Sequence, residues 1–100
     1  MIFNPGFSRL KMMADSAGIP MIVTLHATLP ELKAGAYDSQ GEEIIEWCAV
    51  NNIPIIRDLD EGITSKMYRD GIHINDAGQK LHAAIMEKYI LKVLQGAIDR

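Results

Sequence analysis

Two short apolar runs, each set between helical patterns, constrain the fold of this chain more than any other feature. Residues 20–27 read Pro-Met-Ile-Val-Thr-Leu-His-Ala, and residues 53–58 read Ile-Pro-Ile-Ile-Arg-Asp. Both are β-branched, bounded by breakers and apolar on two faces, as strands in the middle of a covered sheet are. Around them, apolar residues recur at three- and four-residue steps. A first helix is predicted over about residues 7–17, with Phe7, Leu10, Met13, Ala14 and Ala17 inward and Gly18 as its stop. Residues 28–41, rich in Gly, Pro, Asp and Ser, read as a loop. Ser39 then opens a second helix with Glu42 three residues on, the reciprocal capping arrangement. Its inner face is Ile44, Ile45, Cys48 and Ala49, and Asn51-Asn52 closes it. Asn75 is predicted to cap a long third helix whose buried stripe is Leu81, Ala84, Ile85, Tyr89 and Val93.

The expected order is therefore α-β-α-β-α, an α/β design with parallel strands joined by a right-handed crossover. Two strands do not make a sheet that survives alone. The missing strands are expected from a second copy of the chain, as a homodimer, or from a different subunit.

One hundred residues are read as one domain, residues 1–100. With 48% apolar and 23% charged residues the chain is an ordinary globular one, neither disordered nor membrane-spanning. Its net charge of −3 gives no reason to expect nucleic acid or an anionic membrane as partner. The first residues lack a basic segment followed by an apolar one, so no secretory signal is read and a cytoplasmic location is expected. Cys48 is the single cysteine, which excludes an internal disulfide and a cysteine zinc cluster; it reads as a small buried hydrophobe. The methionines at 12, 13, 21, 67 and 86 read as packing.

The chemistry is expected in residues 70–78, Asp-Gly-Ile-His-Ile-Asn-Asp-Ala-Gly. Asp70 stands three residues before His73, just ahead of a helix. That spacing lets the carboxylate accept from one imidazole nitrogen and leave the other to take a proton, which a general base for a serine hydroxyl requires. The plainer alternative is an Asp-Gly turn beside a polar residue that flanks a helix. Asp70-Gly71-Ile72-His73, then Asn75 and Gly78, then an amphipathic terminal helix, resembles the last conserved block of the SGNH hydrolases (the GDSL esterase/lipase family), usually Asp-x-x-His-Pro-Asn. The upstream order of helices and strands is similar to the C-terminal half of such an enzyme over essentially all 100 residues.

The resemblance implies a three-layer, flavodoxin-like half-domain with His73 as the catalytic base and Asp70 as the residue that orients it. It implies acyl-ester hydrolysis, on a small ester or acetylated sugar, without a cofactor or metal. The departures are as informative. The family's Gly-Asp-Ser nucleophile motif is absent, and none of Ser8, Ser16, Ser39 and Ser65 stands in such a turn. The Gly-x-Asn-Asp oxyanion block is absent too, Asn4 in Phe-Asn-Pro-Gly does not match it, and Ile74 replaces the customary proline, which should loosen the loop. One oxyanion donor alone is worth roughly 3–4 kcal/mol of barrier, so these residues by themselves are expected to be inactive. The rival readings are a non-catalytic, self-associating module and one subunit of a split esterase.

Elsewhere, His26 follows the first strand, at the carboxyl end where open α/β sheets place their sites, within reach of His73 across the sheet edge. A structural role is nevertheless expected for it. His82 reads as solvent-facing, and Asp58, Asp60 and Glu61 as a solvated acidic loop. Lys66 and Arg69 balance nearby charge. A metal site from Asp70, His73 and His26 has no recognised ligand spacing.

Overall fold

The computed structural model describes residues 3–98, with side chains through residue 96. The first helix, α1, runs Pro5–Ala17. Asn4 Oδ1 accepts from Gly6 N at 2.8 Å, and Pro5, whose missing N–H is no loss there, starts the helix. Gly18, at φ 69°, stops it, with Ile19 N–H returning to the Ala14 carbonyl at 3.0 Å. The two strands are β1, Val23–Leu25, and β2, Ile55–Arg57, and they pair in parallel with Val23 opposite Ile55, Thr24 opposite Ile56 and Leu25 opposite Arg57. Each strand is shorter than its apolar run. Pro20 and Pro54 have no N–H to give a ladder, although the Pro54 carbonyl still accepts from Val23 N.

One helix carries no periodic signal in the sequence. Residues 28–41 are not all loop: α2, Leu29–Ala34, begins in them. Thr28 Oγ1 accepts from Glu31 N at 3.3 Å while Glu31 Oε1 accepts from Thr28 N at 2.9 Å. This is the two-way cap that the sequence reading assigned to Ser39 and Glu42. Pro30 lies in the first turn, and Gly35 ends the helix at φ 72°. The next helix, α3, Ser39–Val50, is capped instead by Asp38, whose Oδ1 accepts from Gly41 N at 2.9 Å. The observed order is thus α-β-α-α-β-α, ending in the long helix α4, Asp76–Ile98. Asn75 caps α4 as expected, accepting from Gly78 N at 3.1 Å.

The core gathers Ala14, Ala27, Tyr37, Trp47, Cys48, Ile56, Ile63 and Ile85. Phe7 of α1 meets Trp47 of α3 with ring centroids 5.5 Å apart. The expected inner face of α1 is only partly inward: Ala14 is buried and Phe7 half-buried, but Leu10, Met13 and Ala17 are exposed. On α4, Ile85 is buried and Leu81, Tyr89 and Val93 are half-buried, whereas Ala84 is exposed. The buried line runs Gly78, His82, Ile85 and Tyr89, which sets His82 inward. The chain exposes 6792 Å², against roughly 5,700 Å² for a compact monomer of its mass. None of the described helices is long and apolar enough to cross a membrane.

Candidate functional site

The parallel register sets the site. Because Leu25 faces Arg57, the next residues, His26 and Asp58, leave the two strands side by side at their carboxyl ends. Between β2 and α4 the chain makes two single turns of 3₁₀ helix, Asp58–Asp60 and Ser65–Met67. It then doubles back: Arg69 N donates to the His73 carbonyl and Asn75 N to the Met67 carbonyl, each at 2.7 Å. Those bonds flank the Tyr68–Ile74 bridge, so position 74 needs no N–H in it. With isoleucine at position 74 the loop is held by these backbone bonds. Gly78 is required by this close approach, since a Cβ there would stand 2.7 Å from Ile74 Cβ and 2.8 Å from the Met67 carbonyl oxygen.

Asp70 and His73 come together at the tip of this loop. Asp70 Oδ1 accepts from the backbone N–H groups of Ile72, at 2.9 Å, and His73, at 2.7 Å. Its Oδ2 lies 2.7 Å from His73 Nδ1. The two backbone donors, and then the imidazole, hold the Asp70 carboxyl far below its ordinary range. The His73 ring is 62% exposed, and with Nδ1 directed at Asp70 its Nε2 is the nitrogen left for chemistry.

A second constellation lies beneath the loop. Asp58 is 1% exposed, not solvated as its sequence context predicts. Its Oδ1 accepts from Ala27 N at 2.8 Å and faces the Tyr37 hydroxyl at 3.1 Å. Its Oδ2 is 2.5 Å from His26 Nδ1 and 3.1 Å from His82 Nε2. His82 is therefore an inward residue, half-buried against the acid, and the expectation of a solvent-facing ring is corrected. Glu61 is also half-buried, accepting from the Tyr89 hydroxyl and from Lys88 of α4, which pulls its carboxyl below and pushes the Tyr89 phenol above their ordinary values. Of the three acids only Asp60 is exposed, 3.1 Å from Arg57 Nε.

His26 joins the two constellations without touching His73. Its Nε2 is 2.9 Å from the Ile72 carbonyl oxygen, one residue before the base. Tyr68 stacks on the His26 ring at 5.7 Å and 17° and donates its hydroxyl to the Ala27 carbonyl at 2.6 Å. Burial, then the Asp58 charge, push the Tyr68 phenol up to about 12, and burial raises Tyr37 further. Both hydroxyls thus remain hydrogen-bond donors.

Among the described residues no hydrogen bond links a serine to His73. Ser8 and Ser16 lie on α1, Ser39 begins α3 and Ser65 begins a 3₁₀ turn. Asn4 is a helix cap whose own N–H goes to Glu43. Cys48 is buried, and burial pushes its thiol up, away from nucleophilic thiolate.

The sequence reading did not find Asp58, His82, Tyr37 or Tyr68. The first two carried a signal: polar residues ending two parallel strands fall side by side, and residue 82 is four beyond Gly78 and three before Ile85. Fold and site together define a small α/β chain whose parallel strands end in linked imidazole–carboxylate pairs. No protein-family model, curated protein or solved structure matches it.

Proposed function

We propose that this chain is the base-carrying part of a serine ester hydrolase of the SGNH type, a three-layer α/β fold to which it contributes the C-terminal half. The observation that carries this reading is the Asp70–His73 pair, with Nδ1 held at 2.7 Å by a carboxylate that two backbone amides orient. In that arrangement Asp70 fixes the tautomer and stabilises the imidazolium. His73 Nε2 takes the proton from an attacking serine and returns it to the leaving alcohol. The serine and the oxyanion donors come from a Gly-Asp-Ser-bearing partner or segment, because these residues carry none. The substrate class is a small ester or an acetylated sugar.

The test is hydrolysis of p-nitrophenyl acetate, by the chain alone and by its complex with a Gly-Asp-Ser-bearing polypeptide. The chain alone stays at background. The complex turns over, and His73→Ala lowers its rate by about 10³-fold or more. Turnover by the complex that His73→Ala leaves unchanged would remove His73 from the reaction.

A specific observation also favours the second reading, a self-associating module. The exposed Leu10, Met12 and Met13 on α1, with an excess surface of about 1,100 Å² over a compact monomer, are comparable to what one partner buries in a stable interface, roughly 800 Å². Homodimerisation and assembly into a split esterase both use such a surface.

A further inference from the structure

We propose that His26 Nδ1, Asp58 Oδ2 and His82 Nε2 form a divalent-metal site of the kind that takes Zn²⁺. The inference goes beyond the esterase reading and does not depend on it: the metal binds whether or not His73 acts as a base.

The three ligand atoms come from the end of β1, the end of β2 and the buried line of α4, and all lie within 4.8 Å of one another. Two of the separations are 2.5 Å and 3.1 Å. Tetrahedral zinc, bound at about 2.0–2.2 Å, sets its ligand atoms roughly 3.3–3.6 Å apart, so binding opens the His26–Asp58 contact by about 1 Å and the His82–Asp58 contact by a few tenths of an ångström. Two imidazoles and a carboxylate are a donor set that suits zinc.

The surroundings are already arranged as those of metal ligands are. A ligating histidine directs its other nitrogen at a carbonyl or carboxylate, and His26 Nε2 meets the Ile72 carbonyl at 2.9 Å. That carbonyl is an acceptor, so Nε2 carries a proton and the neutral ring then turns the lone pair of Nδ1 toward Asp58 Oδ2, another acceptor, at 2.5 Å. Two lone pairs do not approach so closely without a positive centre between them. A hydrogen is what a 2.5 Å contact accommodates; a metal ion shared with His82 takes its place when the groups part, and it satisfies the third ligand as well. The Asp58 carboxylate is held for the purpose, with Oδ1 engaged by Ala27 N and the Tyr37 hydroxyl. The buried Ile56 and Ile85 line the adjoining space with Thr24, Met86, His82 and Asp58, an apolar wall on one side of the site. Once bound, the ion ties both strand ends to α4 and, through His26 Nε2–H and the Ile72 carbonyl, to the loop that carries His73.

Titration of chelator-stripped chain with Co²⁺ and then Zn²⁺ tests this. The expected result is binding of one ion per chain, with the visible absorption of four-coordinate Co²⁺, displaced by Zn²⁺. His82→Gln and His26→Gln each weaken binding by about tenfold or more, whereas His73→Ala binds as the parent does. On the unaltered chain, Zn²⁺ shifts the imidazole NMR signals of His26 and His82 and leaves the His73 side-chain signals in place, a readout independent of whether the variants fold. Absence of binding by the folded chain would overturn the proposal. So would binding that His82→Gln leaves intact, or that follows the His73 signals.

Discussion

At the scale of single residues, two aspartates do opposite jobs. Asp70 is exposed and shapes a turn; Asp58 is enclosed and joins strand ends to a helix. Replacing Asp58 by Ala strands Ala27 N–H and takes the shared carboxylate from His26 and His82, while the Tyr37 hydroxyl keeps the Leu25 carbonyl. Loss of one partner of a buried charged network costs about 3–5 kcal/mol, a large part of the stability of a domain of this size. Urea unfolding of Asp58→Ala is predicted to show a loss of that order. A loss below about 1 kcal/mol would mean that the acid is not integral to the core.

Asp70 carries a pH dependence whose sign follows from its lowered folded pKa. Its stabilising contribution is complete above the ordinary carboxylate value of 3.8. It is lost only as pH falls through the lower value of the folded chain. Hydrogen exchange at the Ile72 and His73 amides should therefore stay slow down to about the usual carboxylate pKa, near 3.9, and quicken only in stronger acid. Loss of protection at higher pH would contradict the turn. At this scale the 70–73 pairing was legible, since a three-residue spacing brings the side chains together through local backbone alone. Asp58 was not, because an acid beside Asp60 and Glu61 reads as solvated until a parallel register carries it under His26.

At the scale of elements, caps decide what the apolar pattern leaves open. The strands, α1, α3 and α4 were legible from periodicity and breakers, and parallel pairing followed from their alternation. The short α2 was not. Its six residues are too few to show a periodic face, although Thr28, Pro30, Glu31 and Gly35 spell its start and stop. A helix so short depends on its ends, so Thr28→Ala should cost about 1 kcal/mol. Thermal melting with loss of amide protection at Glu31 checks this; an unchanged melt would show that packing alone holds α2. The α1 face failed in the other direction. Its pattern marks Leu10 and Met13 for burial, yet nothing among the described residues covers them. A pattern records what a face requires and not which chain supplies it.

At the scale of the whole molecule, a flat shape, 17 Å in its least extent, with a radius of gyration of 14.7 Å exceeds the roughly 13 Å of a compact chain of 100 residues. Together with the two-stranded sheet, this predicts association. Light scattering on the purified chain at low-micromolar concentration is expected to give at least twice 11.1 kDa. The double variant Leu10→Glu, Met13→Glu, at two side chains exposed within one chain, should weaken that association, and the fold should lose stability with it. A well-folded monomer of the unaltered chain would contradict the need for further strands.

The chemistry proposed for the chain rests on which nitrogen of His73 carries the proton. Long-range ¹H–¹⁵N correlation of the imidazoles at about pH 8.5, two units above the ordinary histidine value of about 6.5, reads this directly. With Nδ1 held by Asp70, His73 is predicted in the Nδ1–H form, and Asp70→Asn should move it toward the Nε2–H form of an unrestrained ring. His73 in the Nε2–H form in the unaltered chain, indifferent to Asp70→Asn, would leave Nε2 unable to accept a serine proton and would contradict the account.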